Sequence, residues 1–143
     1  MTRAFLFRAT AVLWALWGLL HFAFAFPFVW ALHQGVEGLP ASVLMDMAGQ
    51  EAPLHVTQAL MEHGFNNAWF GLVVSVGSLF VWRGRQDAVV LCSLVGGLAH
   101  LGFTLFVVLP GYADAIGVTM TGVVAAALSL GGIAVQRSPG TSS

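Results

Sequence analysis

Four apolar runs, each about long enough to cross a membrane, decide most of what this chain can fold into. They cover about residues 5–32, 61–82, 88–109 and 115–135. An α-helix needs ~20 residues to cross a ~30 Å hydrocarbon layer. Inside lipid, a backbone finds hydrogen-bond partners only in its own helix or in a closed barrel. The runs are too long for barrel strands and do not alternate. Four helices are therefore expected. Composition agrees, with 58% of the 143 residues hydrophobic and 8% charged, against roughly a quarter charged in soluble domains. The expected fold class is all-α integral membrane: an up-down bundle of four transmembrane helices. Residues 1–137 form one domain, and residues 138–143 form a disordered tail.

Charge sets the expected orientation. Arg3, Arg8, Arg83, Arg85 and Arg137 fall on one side of a four-pass plan, and the chain has no lysine. The other side carries Glu37, Asp46, Glu51, Glu62 and Asp114. Basic residues collect on the cytoplasmic side of multi-pass proteins, so both termini are expected there, in a bacterial-type inner membrane. A cleaved signal peptide is the rival reading of the N-terminus, with Ala23-Phe24-Ala25 as the cleavage site. The apolar character, however, continues to Leu32. No basic patch exists to neutralise phosphates, which argues against nucleic acid as a partner. Cys92 is the only cysteine, so no intramolecular disulfide can form.

The long connection, residues 33–60, is expected on the outer side and partly helical. Pro40 opens a short helix whose Val43, Leu44 and Met47 suit a membrane surface. Pro53 opens the second long helix early. His55, Gln58, Glu62, Asn66 and Trp69 then share one stripe, which cannot face lipid cheaply and is expected to face the bundle or a cover made by the loop. Small residues mark packing seams, because they let helix backbones approach in lipid. These are Gly64, Ala68, Gly71, Ser75 and Ser78 on the second helix and Ser93, Gly96, Gly97, His100 and Thr104 on the third. Thr121, Ala125, Ser129 and Gly132 form the seam of the fourth, which has no ionisable residue and is expected to be a packing wall. Pro110-Gly111-Tyr112 signals a turn.

Two histidines lie inside the apolar runs. Trp14, Trp17 and His21 share a helical face, which Phe24 and Phe28 continue. His21 lies about 20 Å above Arg8, and His100 about 18 Å above Ala88, at 1.5 Å per residue. Helices one and three run parallel and are diagonal neighbours in an up-down bundle. The pair His21 and His100 is thus the candidate metal site. It suits haem b with two axial imidazoles, or copper or zinc completed by His63 or water. Against haem, the outer side offers no Arg or Lys for propionates, and no local ligand motif is present. The plain alternative is a satisfied core histidine, bonded to a carbonyl or to a hydroxyl such as Thr104. Trp17, Glu62, His63, Asn66 and Asn67 are the candidate ligand-binding residues of an outward-opening pocket for a small apolar molecule.

The four-helix plan with a Trp- and His-bearing first helix resembles the emopamil-binding sterol isomerases in topology. That resemblance implies an intramembrane enzyme using buried carboxylates with a histidine to move a double bond. No carboxylate here lies deeper than Glu62, so the activity is not carried over. The expectations to test are a metal- or haem-binding redox or assembly protein, a binding module for an apolar ligand, and a structural subunit of a membrane complex or homo-oligomer.

Overall fold

The computed structural model describes residues 1–33 and 54–137. Among these, every regular element is helical, and four helices are long and apolar enough to cross a membrane. Helix α1 is Arg3–His33 and α2 is Leu54–Trp82. Helix α3 is Gln86–Val108 and α4 is Ala115–Gln136. The expected surface helix at Pro40 and the tail at residues 138–143 lie outside the described residues.

The turns follow local chemistry. Helices α2 and α3 are joined by a tight turn in which Gly84 takes φ +81°. Gly111 takes φ +89° in the predicted turn after α3. Both angles suit a residue without Cβ. Asp114 caps α4, its carboxylate accepting from the Gly117 N–H at 2.8 Å, which meets one of the orphan donors of a helix start.

Helix α1 packs on α2 and α4, α3 packs on the same two, and α1 meets α3 across the diagonal. Cross-helix pairs set the levels. Arg8 lies over the Trp82 ring, and Arg137 donates to the Met1 carbonyl, at one end. Gly18 meets Gly71 halfway up, and Gly117 meets Phe103 higher still. The helices therefore alternate in direction.

Helices apolar enough to cross a membrane gain little hydrophobic drive from one another in lipid, where close packing and hydrogen bonds hold a bundle. At the α1–α2 crossing a Cβ on Gly71 would stand 2.6 Å from the Gly18 carbonyl oxygen and 2.6 Å from the Phe22 nitrogen. Only hydrogen fits there. Gly96 is pressed in the same way by the Trp14 ring. The α2 seam faces inward as expected at Gly64, Gly71 and Ser78. The α4 seam does not: Ala125, Ser129 and Gly132 are exposed, and Val124, Ala127, Gly131 and Ala134 are buried instead. On an almost uniformly apolar helix the small residues alone do not mark the inner face, and here Val89 and Thr10 closing on Gly131 select it.

Helix α3 is not a plain α-helix. It has π-helical turns at Ser93–Gly97 and Thr104–Val108. Ala88, Cys92, Gly96 and His100 are all buried, a four-residue spacing that over-rotates an α-helix by roughly 40° per step. The wider π turn takes part of that rotation back and keeps His100 on the inner side.

Candidate functional site

The site is built around Trp17. Its side chain is 1% exposed, because α1 turns its Leu6, Phe7, Ala11, Trp14 and Trp17 face into the core. The indole N–H donates to His100 Nδ1 across the diagonal at 3.2 Å. An indole N–H can only donate, so Nδ1 of His100 carries a lone pair and Nε2 carries the proton. That Nε2 lies 3.0 Å from Thr121 Oγ1, and the Thr121 hydroxyl donates to the Gly117 carbonyl at 3.1 Å. The result is a directed relay from α1 through α3 to α4 with every member satisfied. Each bond replaces water or lipid for a buried polar group, a net gain of about 1 kcal/mol and a larger loss if one partner is removed.

His21 is held differently. Its Nδ1 lies 2.8 Å from the Trp17 carbonyl oxygen, one turn below on the same helix. A carbonyl accepts, so Nδ1 donates and Nε2 keeps the lone pair. The imidazole stacks on the Trp17 indole with centroids 3.9 Å apart and planes at 25°. Among the described residues Nε2 of His21 has no hydrogen-bond partner. The rings of His21 and His100 are 6.4 Å apart and nearly perpendicular, which agrees with their expected common depth. They are joined through Trp17, not to each other.

The hydroxyl expected for His100 was that of Thr104. Thr104 Oγ1 instead donates to the His100 backbone carbonyl at 2.8 Å, as helical threonines often do. Thr121 falls outside the expected site because the fourth helix, with no ionisable residue, reads in sequence as a packing wall. The signal available was its hydroxyl, on a span facing the third helix.

The other predicted residues are spread along the half of α2 away from the arginines. Glu62 and His63 are exposed, and Asn66 and Asn67 are half-buried. His63 lies within electrostatic range of His21. Asn66 Oδ1 accepts from the Trp69 indole at 3.0 Å, one turn along the predicted stripe. Gln58, Glu62 and Trp69 on that stripe are exposed, so among the described residues it does not turn into the bundle; the loop that would cover it lies outside them. Trp17 is walled off from any pocket by its own burial.

As arranged, His100 has no nitrogen to give a metal, since both are engaged, and His21 has one. Among the described residues no group of three His, Cys, Asp or Glu side chains is placed to hold a metal ion. No protein-family model, curated protein or solved structure matches the chain.

Proposed function

We propose that this chain is a multi-pass inner-membrane protein with both termini cytoplasmic, and that its outer half receives a small apolar ligand carrying a hydrogen-bond donor. The arginines at one end support the orientation. The observation that carries the binding reading is the contrast between the two histidines. His100 is consumed by the fold, whereas His21 presents an unmatched acceptor, oriented by the Trp17 carbonyl and ring. An acceptor left unmatched in an apolar medium costs about 1–3 kcal/mol when fully desolvated; His21 is half-buried, and a ligand hydroxyl or N–H that covers its Nε2 supplies the missing bond. In this reading His21 is the anchoring base, and His63, Asn66 and Asn67 stand at the entrance. Trp17 positions His21, and Thr121 positions His100.

The test uses n-decanol as the probe and decane as its control on detergent-purified protein. Decanol is expected to raise the thermal midpoint of the wild type, with little gain in His21→Phe. Equal stabilisation by both probes, or by decanol in both proteins, would overturn the role of His21. Stoichiometric haem or zinc, lost in both His21→Phe and His100→Phe, would replace this reading with the metal one.

A further inference from the structure

The second feature with ligand chemistry lies at the opposite end, between α2 and α3. There a groove of about 230 Å³ is lined by Gly77, Phe80, Ala88 and Leu91, with Arg85 and Asp87 at its rim. Its apolar wall is made by the exposed side chains of Phe80 and Leu91, with Gly77 and Ala88 completing the lining. Taking a methylene as near the ~30 Å³ of a water, it holds a segment of roughly eight. Its floor is apolar and its rim charged, which is the polarity of a lipid near its glycerol and not of a soluble metabolite.

The rim is cationic beyond what its own acid cancels. Arg85 spends two of its N–H groups on Asp87 and keeps three of the guanidinium's five. Arg83 lies over the Phe80 ring, with its carbon 5.7 Å from the centroid, so the residue that lines the groove also carries a cation at its mouth. Basic pockets between helices on the cytoplasmic side recognise anionic headgroups, and guanidinium groups bind phosphate through paired N–H donors.

We infer that this groove is a binding site for one anionic diacyl phospholipid, with an acyl chain against Gly77, Phe80, Ala88 and Leu91 and its phosphate between Arg83 and Arg85. The inference rests on the membrane reading above, though not on the outer pocket. Asp87 moderates the site by occupying one edge of Arg85.

Delipidated full-length protein in detergent is mixed with equal phosphatidylglycerol and phosphatidylcholine of the same chains and examined by native mass spectrometry. One phosphatidylglycerol is expected to be retained with at least about tenfold preference, equivalent to ~1.4 kcal/mol. The double variant R83Q/R85Q is expected to lose that preference, and R3Q/R137Q, which removes equal charge elsewhere, to keep it. Leu91→Trp, which fills the groove without touching charge, is expected to weaken retention. Asp87→Asn is expected to strengthen it. Unchanged helix content by circular dichroism accompanies each comparison. Equal retention of the two lipids, or an equal loss in R3Q/R137Q, would overturn the site and leave only diffuse attraction to a charged end. Protein that inserts into bilayer nanodiscs yet shows no preference defeats this inference alone; protein that fails to insert defeats the membrane reading.

Discussion

The half of the bundle nearer the arginines and the half beyond Trp17 are built on different terms. In the first, Leu6, Phe7, Trp14, Val74, Val81, Val89, Cys92 and Ala134 form one continuous buried cluster. In the second, among the described residues, Ala25 is the one buried hydrophobic residue on α1 beyond Trp17, and α2 presents half-buried Asn66 and Asn67 with exposed Glu62 and His63. The Trp17–His100–Thr121 relay lies at the border. One half is closed by packing and the other is bounded by polar groups with unspent hydrogen-bonding capacity. Packing is thus graded along the helix axis, with Trp17 at the border.

The largest expected effect breaks the closed half. Trp14→Ala should destabilise by about 3–5 kcal/mol through lost packing against Gly96, measured by SDS unfolding in micelles. Phe26→Ala, on an exposed side chain of the outer half, should stay within about 0.5 kcal/mol. Equal losses would erase the distinction between the halves. Next comes the α1–α2 contact. Gly71→Val must push backbone against backbone and should cost about 1–3 kcal/mol. Gly102→Ala, where a Cβ meets nothing within 4 Å, should be neutral or slightly stabilising, by up to about 1 kcal/mol.

The border is probed by smaller changes. His100→Phe orphans the Trp17 N–H and should cost about 1–3 kcal/mol. Adding Trp17→Phe should then cost less than the sum of the singles; strict additivity in the cycle would show that the 3.2 Å contact is not a working bond. Trp14 supplies the control. Its Nε1 is buried with no hydrogen-bond partner among the described residues, so Trp14→Phe should lose packing volume but no bond. The smallest effect at the border belongs to His21→Phe, whose lost bond to the Trp17 carbonyl is offset by removal of the unmatched Nε2, for a net change within about 1 kcal/mol. If His21→Phe proves costlier than His100→Phe, His21 has a structural partner and the open half is less open than it looks.

Much of this was legible without the fold. Run length and hydropathy specify the four spans, since lipid admits no other backbone arrangement for such segments, while the start of α2 at Leu54, seven residues before its apolar run, follows from Pro53. The common depth of His21 and His100 follows from counting residues along two helices of fixed rise. The tight α2 seam and the turn at Gly111 follow from side-chain size and backbone freedom. The kind of partner, a carbonyl or a hydroxyl, was legible as the plain alternative; which carbonyl and which hydroxyl was not. His21 turned to its own helix's carbonyl and His100 to a tryptophan and a threonine, because an imidazole takes whichever donor or acceptor rotation and packing bring within ~3 Å. Which side of α4 faces inward was likewise decided by Val89 and Thr10 closing on Gly131, on a helix apolar nearly all round. The π turn at Ser93–Gly97 that keeps His100 inward has no signature in the apolar pattern of that run. Sequence sets depth along each axis through helical rise; rotation about each axis is a property of the neighbours, and only the packed bundle decides it.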